Sequence, residues 1–479
     1  MASRQTDYDA IVIGVAFSGI RSLYELLQLG LTVKCIDVAP DVGGTWYYTR
    51  YPGSQTDSDA GVYRFNLAPD LIDDWNFQER CPSQEEVQRY LNYVVGRCDL
   101  RKYIQFSSRV VSAHYQNEAK VWTIATTDGM SKTCRYFLLA TGALSIPKEP
   151  PFPGLGSYTG EWYQGSRWPE RKGDFMNKRI SVVGTGSTGV QLIPKIAPVA
   201  KELTVFQRTP NHVLPARKYS IDEYQAVEIR QTHVSTWDLA KQDPAGHALH
   251  SPERTMKDMR DDPEEVRQIL DNGWEQDCFA LPFATFNDIL SDSESNAQVS
   301  EYVRQKIWST VHDQETAELL CPTENVNLVD ISHDEIDLYE NLYEKGICTS
   351  TGAEYEFDIT IFALGFDAGV GALNALDIKG KKGSSTFAGI LVSHFPNMFI
   401  VCSPHIPVGN VPVVLDVAVD WVGQTMKHIE QSKLASTDVA LTAMERWTDH
   451  AVDLWTSGFL AKPTIEYRAW FVGANIPTR

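Results

Sequence analysis

Arg179-Ile180-Ser181-Val182-Val183-Gly184-Thr185-Gly186-Ser187-Thr188-Gly189 decides the fold. Its first five residues are an apolar run of the kind that forms a parallel strand covered on both faces. G-x-G-x-x-G follows at once, Val190 to Ala197 continues in a helical pattern, and Leu203-Thr204-Val205-Phe206 is the next strand. This order is that of a dinucleotide-binding unit: glycines permit a tight turn, and the free N–H groups of a helix start receive a pyrophosphate. The predicted contacts are Gly184, Thr185, Gly186, Ser187, Thr188, Gly189 and Gln191. The second strand closes on Gln207-Arg208-Thr209-Pro210, with a basic residue where an acid would bind ribose. Arg208 and Thr209 therefore suit the 2′-phosphate of NADP.

An earlier copy begins almost at the amino terminus. Tyr8-Asp9-Ala10-Ile11-Val12-Ile13 runs into Gly14-Val15-Ala16-Phe17-Ser18-Gly19, Ile20 to Leu29 is amphipathic, and Thr32 to Asp37 is a strand ending in an acid. Gly14, Ala16 and Gly19 are the predicted turn, and Asp37, at the expected spacing of about 20 residues, binds ribose hydroxyls. Ala16 stands where the second glycine belongs, and its methyl group is expected to cost contact distance or affinity. Two such units in one chain imply an α/β protein with two Rossmann-like domains.

The bulk numbers agree. A chain of 479 residues exceeds one ordinary core. Its net charge of −19 argues against general nucleic-acid binding. No apolar run approaches the roughly 18 residues of a membrane span, and the amino terminus has no apolar signal region. A cytoplasmic protein acting on a small molecule is expected, without nucleic-acid or membrane partners. The eight cysteines form no Cys-x-x-Cys pair, so neither a metal site nor a redox disulfide motif is readable. Reduced, mostly buried thiols are expected.

Gly43-Gly44-Thr45-Trp46-Tyr47-Tyr48-Thr49-Arg50-Tyr51-Pro52-Gly53 is a longer and more distinctive string. Here the chain resembles the flavin-dependent Baeyer–Villiger monooxygenases, in which this string wraps the flavin and continues Ala-Arg-Cys-Asp. The resemblance implies FAD and NADPH as cofactors and adds Gly44, Thr45, Trp46 and Tyr51 to the flavin contacts. This chain continues Ser54-Gln55-Thr56-Asp57, keeping the aspartate that sits near flavin and nicotinamide and replacing the arginine by Gln55.

Between the two turns lies Tyr158-Thr159-Gly160-Glu161-Trp162-Tyr163-Gln164-Gly165-Ser166-Arg167-Trp168-Pro169. The family's fingerprint, Phe-x-Gly-x-x-x-His-Thr-x-x-Trp-Pro, aligns with it. Aromatic, glycine, tryptophan and proline are kept, but the titratable histidine is Gln164 and the threonine is Gly165. Asp57, Gln164 and Trp168 are the candidate catalytic residues. The family's Gly-x-Lys-Arg loop, whose arginine steadies the oxygenated flavin, has no counterpart where Leu320-Cys321-Pro322-Thr323 passes into 324–329, and Leu364 replaces a usual threonine.

The expected division is 1–145 and 363–479 for the FAD domain, 146–220 and 317–362 for the NADP domain, and 221–316 for a helical insertion. Prolines 147, 150, 151 and 153 mark the linker between the first two, since proline breaks helix and strand. Three functions remain open at this level. One is a divergent FAD- and NADPH-dependent monooxygenase using O₂ on a ketone or specialised metabolite. The others are a relative that has lost oxygenation and catalyses a non-redox cyclisation or isomerisation, and a non-catalytic binding protein.

Overall fold

The computed structural model describes residues 6–171, 173–208, 210–243, 245–250, 252–276, 279–322, 341–350, 352–369, 371–379, 386–402 and 409–457. Thr209, Cys278, the stretch 323–329 that lacks a Lys-Arg loop, and the late segment 470–475 lie outside these residues.

Tyr8–Ile13 is the middle of the larger sheet, pairing in parallel with Val33–Ile36 on one side and Ser131–Leu139 on the other. Its alternate residues go to opposite cores. Ala10 and Val12 pack beneath the helix Phe17–Gln28, while Ile11 and Ile13 face Trp122, Phe137 and Leu139. This is why the strand reads as continuously apolar: a strand covered on both faces has no solvent side. Beyond Ser131–Leu139 the sheet turns antiparallel through Val121–Thr126 and Val110–Gln116. Met398–Ile400 also joins Ser131–Leu139 in parallel, carrying the late part of the chain back to the first unit.

The smaller sheet has four parallel strands in the order Glu202–Phe206, Arg179–Val183, Ile359–Phe362 and Glu161–Gln164. The fingerprint therefore supplies an edge strand, and the segment returning after the helical insertion fills the centre. The insertion contains the helices Glu223–Gln242, Pro263–Gln276, Ala280–Ala284, Ser293–Thr310 and Gln314–Leu320. Trp237 and Phe286, two of its aromatics, are core residues with 1% exposure each. The linker departs from expectation. Ile146–Pro147 pairs antiparallel with Phe366–Asp367. Pro147 needs no N–H of its own here, because Lys148 N supplies the bond to Gly365 O at 3.1 Å. The two chain crossings between the sheets are thus stitched to each other.

A buried ionic cluster ties three helices around the first unit. Arg21 on Phe17–Gln28 donates to Asp416 on Val411–Gln431 at 2.8 Å and to Glu25 at 2.8 Å, and also meets Asp420. Lys241 and the Trp237 indole N–H, both from the insertion, approach the other Asp416 oxygen at 3.1 Å. Such clusters specify position more than they stabilise, but losing one partner costs about 3–5 kcal/mol. Among the described residues no helix is long and apolar enough to cross a membrane, and no group of His, Cys, Asp or Glu could hold a metal. Seven described cysteines are free thiols, and four of them are buried.

Candidate active site

Both glycine turns are built alike. Gly14 has φ +100°, and a Cβ there would lie 2.4 Å from Ala140 O; Gly184 has φ +106°, with its Cβ 2.6 Å from Ala363 O. Gly19 and Gly189 each let their helix close on the preceding turn, where a Cβ would meet the first glycine's carbonyl oxygen at 1.8 and 2.3 Å. The helices that follow, Phe17–Gln28 and Ser187–Ile196, have no side-chain cap. Ser83, Asp222, Asp292 and Asp313 cap other helices through side-chain oxygens, whereas Val411–Gln431, like these two, starts without one. Helix starts left without a cap, each at a cradle closed to side chains, fit the phosphates of two dinucleotides.

Ala16 has φ −107° and ψ −157°, an ordinary conformation for an L-residue. Its methyl points at Gly44, whose own Cβ, if present, would lie 2.7 Å from it. The methyl thus fills the space between the turn and the Gly43-Gly44 loop. Asp37 is buried, and its carboxylate accepts from Val15 N at 2.6 Å and Ala39 N at 2.8 Å. Burial pushes this carboxyl above its ordinary range, and the two N–H groups pull it back.

The string after Gly43 forms a short helix, Thr45–Tyr48. Thr45 Oγ1 donates to Leu144 O at 3.4 Å, and the Trp46 indole donates to Tyr63 OH at 3.0 Å. The fingerprint docks on this helix. Trp168 N donates to Tyr48 O at 3.0 Å, and the Arg167 guanidinium lies 3.7 Å over the Tyr48 ring. The Trp168 ring stacks on Tyr163 at 4.9 Å and meets Tyr51 edge-on at 6.4 Å. Trp168 is therefore the apolar joint between the two nucleotide units, made of residues from both.

Gln191, predicted to contact a cofactor, spends its amide across the same joint. Its Oε1 accepts from Tyr51 OH at 2.9 Å and Gln55 N at 3.3 Å, and its Nε2 donates to Gln55 O at 3.1 Å. Gly53 lies so close that a Cβ would be 2.3 Å from Gln191 O. Burial raises the Tyr51 hydroxyl, keeping it a neutral donor.

Gln164 is buried and donates from Nε2 to Lys148 O in the linker at 2.8 Å. An uncharged amide thus makes the tie between fingerprint and linker. Gly165 abuts the second turn: a Cβ there would be 2.5 Å from Thr188 Cγ2. Asp57 is exposed, on the loop held by Gln191. Arg208 is half-buried at the end of its strand. The loop beyond it is fastened to the second turn by Asn211 Nδ2, which donates to Thr185 O at 2.9 Å. Sequence reasoning missed Arg167 and Asn211, because their roles come from segments that meet only in the fold.

The family model described as flavin-binding monooxygenase-like matches residues 8–228. An acetone monooxygenase (methyl acetate-forming) of Gordonia sp. (strain TY-5) is 32% identical over 98% of this chain and 93% of its own length. The solved structure of cyclohexanone monooxygenase from Rhodococcus sp. Phi1 bound to NADP+ superposes with a TM-score of 0.91 at 31% identity, covering 98% of this chain and 92% of that one. The structure of OTEMO in complex with FAD and NADP gives a TM-score of 0.91 at 30% identity, over 96% of this chain and 91% of that one.

Proposed function

The chain belongs to the flavin-dependent Baeyer–Villiger monooxygenases, and from that premise we propose that it binds FAD at the first turn and NADPH at the second and oxygenates a small ketone with O₂. The observation that carries the reading is the joint at Trp168, which packs the helix after the Gly43-Gly44 loop against the strand beside the second glycine turn. In this reading residues 1–145 and 363–479 form the flavin unit, 146–220 and 317–362 the nicotinamide unit, and 221–316 an inserted wall. A cytoplasmic location belongs to the same reading. Nothing in the fold or the relatives favours a non-redox catalyst or a binding protein.

When bound, reduced FAD and O₂ supply the oxygen that is inserted beside a carbonyl. The protein supplies orientation, charge and exclusion of water. Gly14, Ala16, Gly19 and Gly44 would cradle the FAD pyrophosphate, with Thr45, Trp46 and Tyr51 around the flavin and Asp37 on ribose. Gly184, Thr185, Gly186, Ser187, Thr188 and Gly189 would cradle NADPH, with Arg208 and Thr209 at its 2′-phosphate. Gln191 and Trp168 keep the two units in register, and Gln164 ties the fingerprint to the linker without a proton to exchange. Asp57 would face the place where the two cofactors meet.

The purified protein is expected to carry flavin absorbance near one equivalent, bleached by NADPH and restored by air. It is expected to convert cyclohexanone, as a probe, into the ring-expanded lactone. A colourless protein that consumes no NADPH would overturn the reading.

A further inference from the structure

The segment leaving the second nucleotide strand returns across the flavin side. Tyr219 O accepts from Arg80 N at 3.0 Å, Ile221 N donates to Gln78 O at 2.8 Å, and Glu79 bridges Ser220. On the other side of the same strip, Thr56 N donates to Pro82 O at 2.9 Å, Gln84 N to Ser54 O at 2.8 Å, and Gln55 bridges Ser83. Three segments therefore run side by side, and Lys218 reaches across them. Its Nζ lies 2.9 Å from Gln55 Oε1 and 2.7 Å from Glu79 Oε2. Asp57 stands two residues beyond Gln55.

A cation at position 55 would confront the Lys218 ammonium within hydrogen-bond reach, whereas the Gln55 carbonyl oxygen accepts from it. In this chain the cation beside position 55 comes from the far side of the joint and is shared between Gln55 and Glu79. We propose that Lys218 is the positioning cation of the Asp57 loop, delivered from the nicotinamide unit in place of a cation at position 55. The inference rests on reading Asp57 as a flavin-side residue of an FAD- and NADPH-dependent enzyme. Its consequence is that the loop is held at Gln55 by a side chain from the segment 217–221, which itself lies against residues 78–80. Docking of the nicotinamide unit and the electrostatics of the flavin loop are therefore linked.

The test is a charge-exchange cycle in the full-length protein with Lys218→Met, Lys218→Arg, Gln55→Arg and the Gln55→Arg/Lys218→Met double variant. Lys218→Met is expected to weaken NADP+ binding about tenfold and to move the flavin midpoint potential to a more negative value. Lys218→Arg keeps both near wild type. Gln55→Arg alone lowers the melting temperature through repulsion, and the double variant recovers affinity and potential to within about threefold of wild type. The proposal is overturned if Lys218→Met matches wild type in affinity and potential, or if the double variant is the sum of its singles. Should the protein retain no flavin and bind no NADP+, the functional reading fails separately. The melting-temperature cycle on the flavin-free chain then decides the charge exchange: coupling between positions 55 and 218 supports it, and additivity overturns it.

Discussion

The two glycine turns of this chain differ at one residue in a way that separates the jobs glycine does there. At the first position both need glycine, since φ is +100° at Gly14 and +106° at Gly184 and a carbonyl lies within 2.6 Å of any Cβ. At the third, Gly19 and Gly189 let the helix pack on its own entry. At the middle position the backbone is extended in both, φ −107° at Ala16 and −70° at Gly186, and any L-residue adopts it. What decides the middle residue is what faces it. The Ala16 methyl is matched by Gly44, whose missing side chain makes room for it. The expected cost of Ala16 is thus met by a complementary glycine some 30 residues on, and the two should be read as a pair.

Four predictions press on this comparison. The largest effect is expected at the first positions. Gly14→Ala and Gly184→Ala each impose a left-handed backbone on alanine and a clash with a carbonyl, costing about 3 kcal/mol or more. Gly14→Ala protein should lose its flavin on desalting, and Gly184→Ala should bind no NADP+; a Gly14→Ala protein with full flavin absorbance would break the comparison.

Next comes the far end of the second unit. Arg208→Ala should weaken NADPH binding roughly 30-fold while changing NADH less than about threefold, because only the former carries a 2′-phosphate. Equal losses in titrations with the two nucleotides would refute the role given to Arg208.

The pairing of Ala16 with Gly44 predicts a smaller and partly reversible effect. Gly44→Ala should weaken flavin retention about tenfold, and adding Ala16→Gly should recover part of it, while φ +55° at Gly44 keeps the rescue incomplete. Ala16→Gly alone should leave retention within about threefold. A double variant no better than Gly44→Ala would show that the methyl is not what Gly44 accommodates.

The last prediction concerns pH, through His212 in the loop after the strand Glu202–Phe206 and His233 in the helix Glu223–Gln242. Burial, with Arg304 near one ring and Arg64 near the other, lowers His212 and His233 from 6.5 to about 4. Both are neutral in the fold, whereas the unfolded chain takes up their protons near 6.5. Their contribution is therefore complete above about pH 6.5 and is lost as pH falls towards 4, by about 1–3 kcal/mol for each. His233 already engages Asn66 through Nε2 at 3.2 Å, and its buried Nδ1 has no partner among the described residues, so a second N–H there would be unsatisfied. Thermal melts between pH 7.5 and 5 should steepen for wild type and flatten in His233→Asn. A wild-type melting temperature constant over that range would contradict the assignment.

The first unit was legible because its signals are local. Tyr8–Ile13, Gly14, Gly19 and Asp37 fall within one strand–turn–helix–strand passage, where periodicity and glycine placement report directly on backbone conformation. The helix Gln84–Arg97 begins on an equally local feature, the Ser83 side chain accepting from Glu86 N. Pro147 misled for the same local reason. Proline forbids donation, but the pair with Phe366–Asp367 takes its hydrogen bond from the next residue. Gln191 was read from its place beside a glycine turn, and only the neighbouring loop reveals that its amide serves Tyr51 and Gln55.

What the amino-acid order determined by itself is the pair of nucleotide folds, the uncapped helix starts and the basic end of the second unit. These follow from short-range sterics, since a positive φ or an extended apolar run leaves few alternatives. What the tertiary structure alone decided is how departures from pattern are absorbed. Gln164 finds a linker carbonyl, Gly165 yields to Thr188, Ala16 is met by Gly44, and Gln55 accepts from Lys218. Each is a contact between residues far apart in the chain, and only the packing of the two units against Trp168 sets their distances.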